Sequence, residues 1–391
     1  MKVLMLGNLP YGEAVDGLDN HNLNLFQNLK RMDGVDVKFS SFIEGGVGWS
    51  RRQKLGYKLA YNLPLRYLLK TSTLIRTFRP DVIHLQNCSP SPYAFLFILT
   101  PFRAKRLMTI HGVSSNEAKA GNYGRIPRMM SFLYRAVERA AIMKAHRIIL
   151  VSEGKRNWFR EEHGEAAADK SVVIRNGIDL QKIKNHLETS IKGKEVLRRF
   201  GIPSEKFVAF YAKGFVPCNG QEYMVEAMER ILGVRDDIVF VLAGYGPTWN
   251  ALQRLSKERG ISSNVKFLGT IANSDVLSIL AVADVAVVPS VKVGRVEEGL
   301  SIFLLEAMAM GRPVIVTDVG GRECVTDGIT GILIPQKDAG AISDAVLRLY
   351  RDESLRASLG KNAQEEIFAN WSSERMSQLI YREYKRLTLA T

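Results

Sequence analysis

The sequence predicts an α/β fold built from two doubly wound, Rossmann-like domains. Short apolar runs of strand length recur along the chain and alternate with segments of helical apolar spacing. Residues 285–317 show that order within one unit: an apolar run at 285–289, a loop, a longer apolar segment at 300–310 and a second short run at 314–317. Gly311 stops the middle segment as a helix C-cap, and Pro313 forbids its continuation. The chain's 391 residues are enough for two domains with full cores.

Taken in order, Lys2-Val-Leu-Met-Leu-Gly7 reads as a buried parallel strand ending where a Rossmann-like sheet turns towards its first helix. The loop at 8–20 contains Pro10, Gly12 and Gly17, and residues 21–32 follow with helical spacing at Leu23, Phe26 and Leu29. Val35-Asp-Val-Lys-Phe-Ser40 is the second strand. Pro80-Asp-Val-Ile-His-Leu-Gln86 and Arg106-Leu-Met-Thr-Ile-His-Gly112 are strands that each deliver a histidine at or near the carboxyl edge, where open α/β sheets bind ligands. His84 lies inside its strand and reads as a buried structural residue; His111 is the functional candidate. Residues 145–152 form the next strand, and Val172-Val-Ile-Arg-Asn-Gly-Ile-Asp179 ends on the turn signal Asn176-Gly177.

A charged stretch at 179–199 leads into the second domain, which opens with Lys206-Phe-Val-Ala-Phe-Tyr-Ala212. Ile238-Val-Phe-Val-Leu-Ala-Gly-Tyr-Gly-Pro247 runs into a Gly-x-Gly turn that contains Gly244. Val265-Lys-Phe-Leu-Gly269 is a short strand, residues 326–335 are a turn plus strand, and helices follow from Ala341 to the end. The expected domains are 1–180, rejoined by a last helix at 372–391, and 181–371.

Two carboxylates mark the second domain. Glu298 precedes the apolar segment, and Glu306 lies eight positions later inside it. An all-apolar helix is buried, and a carboxylate on it is rarely left unpaired. A helix starting at Glu298 would separate the two by roughly 12 Å, which suits gripping two ends of an extended ligand; the bland alternative is that Glu306 caps a neighbouring loop and Glu298 is a solvated loop acid. The amides of Gly299, Leu300 and Ser301 would then lie at the helix N-terminus as a phosphate site.

Composition bounds the partners. The longest strongly apolar run, residues 93–100, is too short to cross a bilayer. Cys88, Cys218 and Cys324 are scattered and form no CxxC or Cys/His cluster, so neither a metal site nor a disulfide framework is expected. Met1-Lys-Val-Leu begins directly as a strand, and the reducing cytoplasm is the expected compartment. Residues 1–200 carry 33 Lys/Arg against 17 Asp/Glu, and residues 201–391 carry 21 against 23. The excess concentrates at 51–80, where Arg51, Arg52, Lys54, Lys58, Arg66, Lys70, Arg76 and Arg79 meet no acid and are interleaved with Leu and Tyr. Such a segment suggests an anionic membrane surface, less readily nucleic acid; ordinary surface helices with snorkelling cations are the bland alternative.

Glu298-Gly-Leu-Ser-Ile-Phe-Leu-Leu-Glu306, followed by Ala-Met-Ala-Met-Gly-Arg-Pro-Val and then Asp318-Val-Gly-Gly, resembles the E-x7-E signature of the retaining, GT-B-fold glycosyltransferases of family 4. The resemblance implies two domains facing each other across a cleft, with the second holding a nucleotide-diphosphate sugar and the first the acceptor. It implies that Glu306 holds the ribose, Glu298 the donor sugar, and Gly299, Leu300 and Ser301 the phosphate or sugar. His111 matches the strand-end histidine that contacts the donor sugar. Gly17 is what remains of a Gly-Gly pair in the first loop, here Asp16-Gly17. The reaction implied is transfer of a sugar to a hydroxyl of a glycan or lipid-linked acceptor, with retention and with neither metal nor cofactor.

One departure matters. The family places an Arg and a Lys after the first strand of its second domain to clamp the donor diphosphate. Here Lys213-Gly-Phe-Val-Pro-Cys-Asn-Gly220 puts Gly214 and Asn219 at those positions. Lys213, Lys292 and Arg295 are the candidate replacements; the bland alternative is that Lys292 and Arg295 are solvated loop charges. The departure keeps open a catalytically silent sugar-nucleotide-binding partner subunit; a nucleotide-sugar epimerase and a nucleic-acid-binding protein are weaker alternatives.

Overall fold

The computed structural model describes residues 1–7, 17–41, 65–86, 92–99, 103–111, 128–189, 193–294, 300–319 and 322–389. They form two compact units. One runs up to Asn176 and resumes at Ser373; the other runs from Gly177 to Ser372.

In the first unit the chain alternates β1 (Lys2–Gly7), α1 (Gly17–Lys30), β2 (Asp36–Ser41), α2 (Leu65–Phe78), β3 (Val82–Gln86) and α3 (Pro92–Leu99). It continues through β4 (Lys105–Ile110), α4 (Arg128–Lys144), β5 (Arg147–Leu150), α5 (Glu153–His163), α6 (Glu165–Ala168) and β6 (Ser171–Val173). The six strands are all parallel, in the order β2-β1-β3-β4-β5-β6. Side chains alternate between the two faces of each strand, so each strand feeds two cores. Leu4, Leu6, Ile83, Leu85, Met108 and Ile148 pack under α2, α3, α4 and α5 through Ile75, Phe97, Ala141 and Phe159. Val3, Met5, Val82, Leu107 and Ile149 face the opposite side, against Leu25 and Leu29 of α1.

The second unit starts with α7 (Leu180–Thr189) and α8 (Gly193–Arg199), then β7 (Phe207–Ala212), a 3-10 turn (Pro217–Asn219), α9 (Gln221–Leu232), β8 (Ile238–Ala243) and α10 (Trp249–Glu258). After these come β9 (Val265–Gly269), α11 (Asn273–Leu280), β10 (Val285–Val288), α12 (Ile302–Ala309), β11 (Val314–Thr317), β12 (Ile332–Ile334), α13 (Ala339–Arg351) and α14 (Glu353–Asn370). Its six parallel strands run β12-β11-β10-β7-β8-β9. Both sheets are therefore doubly wound, with the strand order reversing between β1 and β3 in the first and between β7 and β10 in the second. Ligands of such sheets bind at the carboxyl ends beside the reversal.

The last helix, α15 (Ser373–Leu389), belongs to the first unit. Its Met376, Ile380 and Tyr384 are buried with Leu25 and Leu29 of α1. Asn28 Nδ2 donates to Ser373 Oγ and Ser377 Oγ, each at 3.2 Å. Of the basic stretch, residues 51–64 lie outside the described residues, and 65–78 is α2. No described helix is long and apolar enough to cross a membrane.

Candidate functional site

The organising stretch folds as strand, loop, helix, strand. All eight residues of α12 are buried, Glu306 among them at 7 % exposure. The helix starts later than the sequence suggests. Ser301 is its N-cap, and its Oγ accepts from the Leu304 amide at 3.4 Å. A serine oxygen that satisfies a first-turn amide fixes the start there. Leu300 and Ser301 therefore precede the helix, and its first-turn amides are those of Ile302, Phe303 and Leu304; the 12 Å helical spacing expected between the two glutamates does not apply. At the other end Gly311, at φ 69°, takes the left-handed turn that ends the helix before Pro313. Glu298, Gly299 and Arg295 lie outside the described residues.

Glu306 has a partner that the sequence reading missed. Asn273, the first residue of α11, donates from Nδ2 to Glu306 Oε1 at 2.9 Å. Lys182 of α7 in turn donates from Nζ to Asn273 Oδ1 at 2.6 Å. Burial pushes the Glu306 carboxyl up to about 7, while Asn273 and the Lys182 charge pull it back. A carboxylate kept half-ionised at neutral pH, with one oxygen held and backed by a cation, is suited to accept hydrogen bonds from hydroxyls. Asn273 gave little signal in the sequence because a lone Asn after a short strand is an ordinary helix-start residue.

The clamp loop lies at the reversal in the second sheet. Lys213 follows β7 and Ser290 follows β10, and Lys213 Nζ donates to Ser290 Oγ at 3.3 Å, bridging the two strand ends. Asn219 does not imitate a cation. It is buried, and its Nδ2 donates to the Gly214 carbonyl at 2.7 Å, beside Gln221 Nε2 at 2.6 Å. Gly214 itself has room, since an added Cβ would meet nothing nearer than Tyr245 O at 3.9 Å. Gly244, at φ 127°, sits so close to the loop that a Cβ there would come within 2.0 Å of Lys213 O. Tyr245, half exposed, stacks obliquely on Trp249 with ring centroids 5.5 Å apart. Lys292 is exposed, and its amide donates to Gln336 Oε1 at 2.8 Å.

In the first unit a column of polar side chains climbs the face covered by α1 and α15. His84 is fully buried and bonded at both nitrogens, Nδ1 to Tyr384 OH at 2.6 Å and Nε2 to Thr109 Oγ1 at 2.7 Å. That is a structural histidine, as its place inside a strand suggested. His111 lies beyond the end of β4, where Lys155 Nζ donates to its backbone carbonyl. Its ring meets that of His21 edge to face, with centroids 4.3 Å apart. Burial, followed by the charges of His21, Lys155 and His84, holds His111 well below the ordinary histidine range, so the ring is neutral at pH 7. Burial likewise lowers His21 to about 4. Among the buried polar atoms here without a hydrogen-bond partner in the described residues are His111 Nε2, Gln86 Oε1 and Ser152 Oγ. Buried polar atoms left unmet cost about 1–3 kcal/mol each. Gly17 is the first residue of α1.

Most of the chain resembles known proteins. The model of the "Glycosyltransferase Family 4" matches residues 15–182, and that of the "Glycosyl transferases group 1" matches residues 194–366. The alpha-D-kanosaminyltransferase of Streptomyces kanamyceticus is 30 % identical over 63 % of this chain and 62 % of its own length. The GDP-mannose-dependent monoacylated alpha-(1-6)-phosphatidylinositol monomannoside mannosyltransferase of Corynebacterium glutamicum is 33 % identical over 42 % of this chain and 43 % of its own. The chain thus spans less than two thirds of either relative. Among solved structures, HepE of Anabaena in complex with UDP-glucose superposes with a TM-score of 0.74 at 19 % identity, covering 99 % of this chain and 100 % of that one.

Proposed function

The chain belongs to the family 4, group 1 glycosyltransferases of GT-B fold, and we propose that it moves a sugar from a nucleoside-diphosphate donor to a hydroxyl of a glycan or lipid-linked acceptor, with retention at the anomeric carbon and without a metal. The observation that carries this reading is Glu306, a single carboxylate on a buried apolar helix, held by Asn273 and backed by Lys182. In this reading Glu306 accepts from the ribose hydroxyls, and Lys213 at the sheet reversal faces the diphosphate, where negative charge grows as the sugar leaves. His111, neutral and with Nε2 unmet among the described residues, offers a hydrogen bond to a sugar hydroxyl. Glu298 and Gly299 act on the donor sugar, and Lys292 and Arg295 add positive charge beside it. The GDP-mannose dependence of one relative and the UDP-glucose held by one structural neighbour support a nucleotide-sugar donor.

A second reading rests on Gly214 and Asn219. With the clamp cations gone, the chain would bind a nucleotide sugar as a silent partner subunit. One experiment separates the two. A panel of UDP-, GDP- and ADP-sugars is screened for a rise in melting temperature, since a ligand that binds the native state stabilises it by mass action. The stabilising donor is then incubated with chain and acceptor hydroxyls, and the products are analysed. Glycoside plus nucleoside diphosphate is the expected outcome. Stabilisation without turnover assigns the silent role, an epimerised donor assigns an epimerase, and no stabilisation by any donor rejects the reading.

A further inference from the structure

The outer layer of the first unit carries a surface that sugar transfer does not use. Helix α3 lies between α2 and α4 and touches both. All three pack on the same face of the sheet, through Leu68, Ile75, Ala94, Phe97, Val137 and Ala141. Their opposite sides face outward. Of the eight large apolar side chains exposed among the described residues, four are on this layer: Leu69 at 62 %, Phe95 at 39 %, Leu99 at 71 % and Met143 at 76 %. Phe95 and Leu99 are four positions apart on α3 and so share one side of it.

Among the described residues, the exposed charges carried by these three helices are all of one sign. Lys70 and Arg76 on α2, and Arg135, Arg139 and Lys144 on α4, are exposed. Neither α2 nor α3 contains an acid, and the single acid of α4, Glu138, is buried at 3 % exposure. Of the described acids nearby, Asp81 Oδ2 accepts from the Lys2 amide at 2.7 Å, and Glu162 of α5 pairs with Arg135 at 3.4 Å, which takes Arg135 out of the docking set. Three helices with no exposed acid among their described residues, exposing leucine, phenylalanine and methionine among lysines and arginines, match an anionic lipid surface in both respects. The cations meet the headgroups, and the apolar side chains enter the acyl boundary. A nucleic acid would use the cations but not the apolar side chains.

We propose that the outer face of α2, α3 and α4 docks the protein on an anionic membrane, with Phe95, Leu99, Leu69 and Met143 inserted and Lys70, Arg76, Arg139 and Lys144 over the headgroups. The proposal stands apart from the transfer chemistry, because vesicle binding and sugar transfer are read separately. Docking of this kind combines shallow insertion with screened attraction, so it is reversible and weakened by salt.

The full chain is sedimented with vesicles of phosphatidylcholine alone and with vesicles enriched in phosphatidylglycerol, at low and high salt. Two double variants accompany it: Leu99→Glu with Met143→Glu, and Lys70→Glu with Lys144→Glu. All four positions are exposed, so melting temperature and nucleotide binding serve as controls that should not change. The expected result is partition to the anionic vesicles that falls at high salt, with at least a tenfold loss in each double variant. A Phe95→Trp variant should shift its emission to the blue on binding, because an inserted ring leaves water. Equal partition to both vesicle types, no partition to either, or full binding by both double variants overturns the assignment of the membrane to this layer.

Discussion

Asn273 donates its side-chain amide to Glu306 Oε1 at 2.9 Å, and through that bond the half-buried Lys182 reaches a buried acid. The acid sits where nothing else in α12 is polar, and burial raises its pKa against the Asn273 hydrogen bond and the Lys182 charge. Its behaviour with pH is therefore open to direct measurement.

Glu306 is raised from an ordinary 4.5 to about 7. Between those values the folded chain binds more protons than the unfolded one. The contribution of Glu306 to stability is thus complete below about pH 4.5 and lost as pH rises through about 7, on the order of 3 kcal/mol across the window. Glu306→Gln keeps the acceptor for Asn273 but removes the titration. Its melting temperature relative to the parent should rise steadily from pH 5 to pH 8 while donor affinity falls at least about tenfold. Parallel melting curves across that range would show that Glu306 does not titrate there.

His21 is expected to stay neutral through the physiological range. A histidine whose folded value is lowered to about 4 contributes stability that is complete above about 6.5 and lost as pH falls through about 4. The His21 ring resonances, assigned by comparison with His21→Asn, should move with a midpoint near 4. A midpoint near 6.5 would place the ring in water and undo its packing against His111.

Gly214→Arg should fold and raise turnover. The position has a non-positive φ and open space where an added side chain would start. A guanidinium there would restore one cation beside the leaving diphosphate, and such a group changes rate by about ten- to hundredfold. Steady-state kinetics with the stabilising donor decides it. A folded variant with unchanged kcat would mean that the loop does not face the diphosphate.

Lys213→Met should lower kcat about tenfold or more and leave donor affinity within a few-fold, since a charge that meets the leaving group acts mainly in the transition state. Equal loss in kcat and in affinity would make Lys213 a ground-state binding residue.

Gly244→Ala should destabilise the second unit. It asks an alanine to adopt φ 127° and to place Cβ 2.0 Å from Lys213 O. Several kilocalories are at stake, about 2–4 kcal/mol, or a fall in melting temperature of several degrees. A melting temperature equal to the parent's would show that the loop after β7 moves freely.

What the sequence determined by itself was periodicity and punctuation. Runs such as Lys2–Gly7 and Ile238–Ala243 are apolar on both faces, as only buried parallel strands need to be. Gly311 and Pro313 end α12 by backbone geometry alone, and the E-x7-E spacing placed Glu306 on a buried helix. These are local properties, written in residues close together in the chain. Long-range proximity is another matter. Lys182, Asn273 and Glu306 are far apart in sequence, as are His21 and His111, and only the winding of each sheet brings them together. The same holds for the basic segment. Read alone, residues 51–80 suggested one amphipathic stretch, whereas the tertiary structure sets the helix of Leu69 and Lys70 beside α3, in a layer of helices whose single acid is turned inward. Which side of a helix meets solvent depends on what packs against the other, and that is decided by strand order rather than by any one segment's composition.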